Sequence, residues 1–93
     1  MTRIVIKELV WVESRNVRHI RKHKVSKDEV EGASKNLIYH RRIKRKLFLA
    51  VGRSGKRLLT IILVWEQTGK YYVATARDAS KKERRNVYEK ESK

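Results

Sequence analysis

The eight residues Leu58-Leu59-Thr60-Ile61-Ile62-Leu63-Val64-Trp65 constrain the fold more than any other stretch of this chain. A half-exposed strand alternates apolar and polar side chains. An unbroken apolar run of this length reads instead as a central strand covered on both faces. The chain must therefore supply neighbouring strands and a cover for each side. Arg53-Ser54-Gly55-Lys56 before the run and Glu66-Gln67-Thr68-Gly69-Lys70 after it have turn composition. They join it to strands at Leu47-Phe48-Leu49-Ala50-Val51 and at Tyr71 to Ala76. Tight turns between successive strands force antiparallel pairing.

The cover comes from helices. Ser26-Lys27-Asp28-Glu29 and Ser80-Lys81-Lys82-Glu83 both have the capping-box spacing, a Ser with a Glu three residues on. The first opens a short helix that buries Val30 and Ala33 and ends between Gly32 and Lys35. The second opens a C-terminal helix bearing Val87 and Tyr88. Ser14 is the expected N-cap of a basic helix running to about Lys24, with Val17 and Ile20 on its thin apolar face. Residues 3 to 12, rich in β-branched and aromatic side chains, are expected to form a strand. A bend near Ile43 to Arg45 either separates two strands or twists one long strand. The predicted fold is a single α+β domain over 1–93. It has an N-terminal strand, two short helices, an antiparallel sheet of three to four further strands, and a C-terminal helix packed on the sheet.

Composition then narrows the function. Twenty-five Lys and Arg against ten Asp and Glu leave a formal charge of +15 in 93 residues, so the chain repels itself and attracts polyanions. Five Lys or Arg and no acid lie between Ser14 and Lys24, and five more fill the six positions from Arg41 to Lys46. One-sided charge of this kind points to nucleic acid. No helix pairs its basic face with a broad apolar one, and no apolar run reaches membrane-spanning length, so a membrane partner is not expected. Three apolar residues before Lys7-Glu8 are too few for a signal-peptide core, and Cys is absent, which together suggest a cytoplasmic protein. Tyr39, Tyr88 and the Tyr71-Tyr72 pair are candidates for base stacking, whereas Trp11 and Trp65 are expected in the core.

Metal chemistry is disfavoured. The ten acids are thinly spread, and the cluster Asp28, Glu29 and Glu31 is explained by a helix start. His19 and His23 share a helix face, but His19-Ile20-Arg21-Lys22-His23 lacks the Glu of the zinc-protease pattern and is surrounded by cations. No metal or other cofactor is expected. RNA carries its own nucleophile in the 2′-hydroxyl, so its cleavage needs only proton transfer and cations that offset the charge of the transition state. A His suits proton transfer at neutral pH. Arg77, at the end of a strand and three residues before a helix N-terminus, has the makings of an anion site.

These residues resemble the BrnT family of ribonuclease toxins from type II toxin–antitoxin pairs, distant relatives of the RelE fold. The resemblance rests on Trp11, Asn16, His19-Ile20, Lys22-His23, Val25-Ser26 and Asp28-Glu29, on the strand–turn–strand block from Gly52 to Val64, and on Ala76-Arg77-Asp78-Ala79-Ser80 leading to Glu83-Arg84 and a terminal Tyr. It implies a metal-independent endoribonuclease neutralised by a small antitoxin, commonly of ribbon-helix-helix type. It carries over His23, Arg77, Glu83 and Arg84 as catalytic candidates, with Tyr88 behind them. Arg77 and Arg84 are expected to stabilise phosphate, and Glu83 or His23 to move the proton. Lys22, Arg41, Arg42, Lys46, Arg53 and Lys82 are the expected RNA contacts. The antitoxin is expected to be acidic and to cover the helix around His23. The chain departs from the family at Val12, where an acid is usual, at Lys24, where Gly is usual, and at Tyr88, one position further from the Glu. Those departures keep a decayed toxin in play, beside a non-catalytic, ribosome-associated RNA-binding protein.

Overall fold

In the computed structural model, which describes residues 4–91, the apolar run becomes β4 (Arg57–Gln67), the centre of a five-stranded sheet. It lies between β3 (Leu47–Ser54) and β5 (Lys70–Asp78), with β2 (Leu37–Lys44) and β1 (Glu8–Val10) on the two edges. The pairs β2–β3, β3–β4 and β4–β5 are antiparallel, as the tight turns require. The expected bend at Ile43 to Arg45 is a hairpin that separates β2 from β3. Gly55 and Gly69 occupy the two following turns with φ of 61° and 79°, a region open to Gly at little steric cost.

Alternation assigns the two faces. Leu59, Ile61 and Leu63 of β4 pack with Ala50, Tyr71, Val73 and Ala76 under Ile20, Val25, Val30 and Ala33. Those last four come from α1 (Arg18–Lys22), α2 (Lys27–Lys35) and the loop between them. On the opposite face Leu49, Val51, Leu58 and Ala79 pack with Val87 of α3 (Lys81–Glu91). The apolar run is thus covered on both sides by helices. Among the described residues no helix is long and apolar enough to cross a membrane.

Helix α2 starts as its sequence predicts. Ser26 accepts from the Glu29 amide and Glu29 accepts from the Ser26 amide, and Lys35 is the last helical residue. Its C-terminal turn crosses β3 at Gly52, where an added Cβ would stand 2.1 Å from the Ala33 carbonyl oxygen. Only a glycine admits that approach.

The N-terminal region departs from expectation. The strand expected over 3–12 is reduced to Glu8–Val10 and runs parallel to β5, pairing with Lys70 to Tyr72 alone (Arg3 lies outside the described residues). Beyond it the chain turns away, and the Trp11 indole N–H donates to Glu31 on α2. Ser14 does not cap the basic helix. A five-residue π-helical segment, Glu13–Val17, precedes α1, and Asn16 does the tying instead. Its side chain accepts from the Val12 amide and donates to the Val10 carbonyl, both at 2.7 Å, from a position only 1% exposed. After α1, Lys24 adopts φ of 60°, the left-handed conformation that a Gly would take without cost. Its carbonyl accepts from Arg57, which also pairs with Glu29 and Asp78 and so bolts the loop to the end of the sheet. Trp65 is not in the core; it stands 36% exposed at the far end of β4.

Candidate active site

Register puts Thr60 of β4 beside Arg77 of β5, and both side chains face α3. The capping box that opens α3 then delivers Glu83 to the same place. The Glu83 amide donates to Ser80 Oγ, and the Ser80 amide donates back to Glu83 Oε1 at 2.7 Å. From that position the carboxylate meets Thr60 Oγ1 at 2.8 Å and both terminal nitrogens of Arg77, at 2.8 and 3.0 Å. Oε1 accepts three of these bonds; Oε2 accepts from Arg77 Nη2 alone.

The paired geometry decides the charge state. The Arg77 guanidinium first, then the Ser80 amide and the Thr60 hydroxyl, pull the Glu83 carboxyl down to about 2 against the opposition of burial. The same pairing raises Arg77 above its ordinary value. The Glu83 side chain is 13% exposed, while 41% of the Arg77 side chain remains open to solvent. The anion expected between Arg77 and the head of the last helix is therefore present, and it is the chain's own Glu83.

This knot forms one wall of a cleft of about 330 Å³. Tyr39 and Arg41 of β2 line the other side, with Lys82 and Asn86 on α3. Tyr39 pairs with Val51 and Arg41 with Leu49, so both point to the α3 face of the sheet. The cleft thus gathers two cations, a phenol, an amide and one carboxylate, and that carboxylate is held by the Arg77 guanidinium.

The candidates from sequence divide into three groups. Glu83, Lys82 and Arg41 line the cleft, and Arg77 is joined to them through its two bonds to Glu83. Arg84, Arg53 and Tyr88 lie on or against α3 but outside the cleft, the two arginines being engaged elsewhere. The Arg84 Nε donates to the Ala79 carbonyl, and Arg53 makes a two-bond pair with Glu91 near the helix end. Tyr88 is 52% exposed in a separate shallow groove with Lys81, Arg84 and Arg85. His23, Lys22, Arg42 and Lys46 are not brought to the cleft. His23 ends α1, which packs through Ile20 on the opposite face of the sheet, and its ring contacts His19 edge-on at 5.2 Å between centroids. It sits near the same end of the sheet as Arg77, since neighbouring Lys24 is bonded to Arg57 and Arg57 to Asp78. Among the described residues no hydrogen bond or ring contact joins His23 to Arg77, which faces α3. The i, i+4 spacing of the two His placed them on one helix face but carried no information about which side of the sheet that helix covers.

Thr60 was missed. A lone hydroxyl inside an apolar run was its signal, because a fully buried Thr needs a partner and Glu83 is that partner. Asn86 had no comparable signal. Among the described residues no group of three or more His, Asp or Glu is placed to hold a metal ion.

No family model matches the sequence, and no curated protein is recognisably similar to it. The chain does superpose on the crystal structure of the Brucella abortus ribonuclease toxin BrnT, with a TM-score of 0.63 at 21% sequence identity. The match covers 80% of this chain and 97% of that chain. The chain therefore shares the fold of that protein, as the sequence motifs implied.

Proposed function

We propose that this chain is an endoribonuclease toxin that cleaves RNA without a metal ion in the cleft beneath α3. The observation that carries the reading is the Glu83 carboxylate, held by Arg77 and lining a cleft with Arg41 and Lys82, on a fold shared with a ribonuclease toxin. At rest Glu83 is fully ionised yet a weak base, because four hydrogen bonds satisfy it. An RNA phosphate competes for Arg77. As the guanidinium turns to the phosphate, Glu83 loses two of its four bonds, and its proton affinity climbs toward that of an ordinary carboxylate.

The chemistry follows. Glu83 takes the proton of the 2′-hydroxyl, the 2′-oxygen forms a bond to phosphorus, and the bond from phosphorus to the 5′-oxygen breaks. The leaving oxygen takes a proton from Lys82 or Tyr39, both of which line the cleft. Arg77, Arg41 and Lys82 offset the negative charge on the phosphorane-like transition state. The products are a 2′,3′-cyclic phosphate and a 5′-hydroxyl. Proton transfer rests on Glu83 rather than His23, which lies on the other face. Charge of +15 calls for an acidic partner to silence such an enzyme, and a small ribbon-helix-helix antitoxin, acting in the cytoplasm, fits that need.

Labelled RNA incubated with the protein in EDTA is expected to yield 2′,3′-cyclic phosphate ends. Arg77→Ala and Glu83→Gln each abolish the product while circular dichroism reports a folded chain. Cleavage that persists in both variants overturns the assignment of the site. The saturated state of Glu83 favours a second reading, RNA binding without cleavage. Salt-sensitive binding with intact RNA in the same assay decides for it.

A further inference from the structure

The alternation of β2 sends neighbouring cations to opposite faces of the sheet. Arg41 pairs with Leu49 and enters the cleft, whereas Arg42 pairs with Phe48 on the face that carries α1 and α2. That face is covered by α2 at the Gly52 end of β3. Toward the β2–β3 turn lie Phe48, Tyr71 and Trp65. The rings of Phe48 and Tyr71 meet edge to face at 5.9 Å, and Trp65 pairs with Tyr71 across β4 and β5. Trp65 keeps 36% of its surface in solvent, so part of its indole is open to a ligand. The Lys46 ammonium sits 5.8 Å from the centroid of the Trp65 ring. No ion pair among the described residues engages Arg41, Arg42, Lys44, Arg45 or Lys46, all of which are exposed.

We propose that Trp65, Lys46 and Arg42 form a second RNA contact, in which an unpaired base stacks on the indole while the two cations hold the adjoining phosphates. The inference rests on RNA being the ligand of this chain, but not on cleavage. An indole presented beside cations with no acidic partner is the arrangement by which proteins hold single strands without reading their sequence. Placement supports it. β2 is an edge strand, so one strand of RNA leaving the cleft at Arg41 can round the free edge and reach Arg42 on the far side. Glu66, the residue after Trp65 in β4, is an exposed acid beside the patch.

The test uses a 2′-O-methyl single strand of about twelve nucleotides, which has no nucleophile and so cannot be cleaved. Its titration is expected to quench tryptophan emission in the full chain, and Trp65→Phe removes that quench while holding affinity within about threefold. Trp65→Ala weakens binding by about tenfold, the loss of one stacked base. Arg42→Ala and Lys46→Ala weaken it and flatten its salt dependence. Thermal melts confirm that each variant is folded. Wild-type affinity in Trp65→Ala, or a quench that survives in Trp65→Phe, overturns the inference. So does a Trp65→Ala chain that holds RNA normally but loses an acidic protein partner. If the protein binds RNA through Trp65 yet cleaves none, the enzyme reading falls and this one stands.

Discussion

Four hydrogen bonds converge on Glu83, and each lowers its affinity for a proton, so the side chain that ties β5 to α3 is a poor base until some donors leave. The stability it contributes has a definite pH window. Its folded carboxyl lies near 2 against an ordinary 4.5, so the contribution is complete above about 4.5 and is lost as pH falls toward 2. Linkage sets an upper figure of roughly 3 kcal/mol. The exposure of Arg77 reduces this to about 2 kcal/mol after allowance for solvent screening. Glu83→Gln is therefore expected to lose about 2 kcal/mol near neutral pH and very little near pH 2. Urea unfolding followed across that range checks it; a variant whose deficit is constant with pH contradicts the assignment. Arg77 and Glu83 were legible in the sequence because a capping box fixes where its Glu must stand, and the preceding strand end fixes the Arg. Thr60 showed only that it needs a partner, and Asn86 showed nothing, since the register of two strands and the rotation of a helix decide what they meet.

Between elements, two joints hold the helices to the sheet, and each rests on a backbone feature. At Gly52 the carbonyl of Ala33 approaches so closely that Gly52→Ala must push α2 off β3. The cost is expected to exceed about 3 kcal/mol, read as a large drop in melting temperature. At Lys24 the positive φ runs the other way. Lys24→Gly relieves a conformation that costs an L-residue roughly 1 kcal/mol, and the added freedom of the unfolded chain offsets part of it. A net gain of about 0.5 kcal/mol is expected, with the bond from Arg57 to the residue-24 carbonyl kept because it is a backbone bond. An unchanged or lower melting temperature is the contrary result. The strands around β4 and both capped helices could be read from residue patterns, because alternation and caps are local physics. The parallel pairing of β1 could not, because three residues on an edge carry too little pattern to fix a partner. Nor could the π-helical entry to α1, which depends on Asn16 reaching both Val10 and Val12.

At the scale of the whole molecule the positive charge acts on folding and on binding with opposite sign. The molecule measures 39 × 29 × 20 Å. At about 10 mM salt the screening length is roughly 30 Å, so cations on every face repel one another through the whole body. At about 150 mM it falls to roughly 8 Å, and only neighbours interact. Added sodium chloride is therefore expected to raise the melting temperature, most steeply at the low end. The same salt lowers RNA affinity, because phosphate contacts gain by releasing counterions and that gain shrinks as salt rises. Arg41, Arg77 and Lys82 around the candidate site with Arg42 and Lys46 beyond the edge give a log–log slope of roughly −3.5 on single strands. Removing Arg42 and Lys46 together brings it to roughly −2 and also softens the rise in melting temperature, since both effects come from the same charges. A double variant that changes the slope but not the salt response of the melt shows that those two cations do not strain the fold. One that changes neither shows that the nucleic acid does not reach the far face.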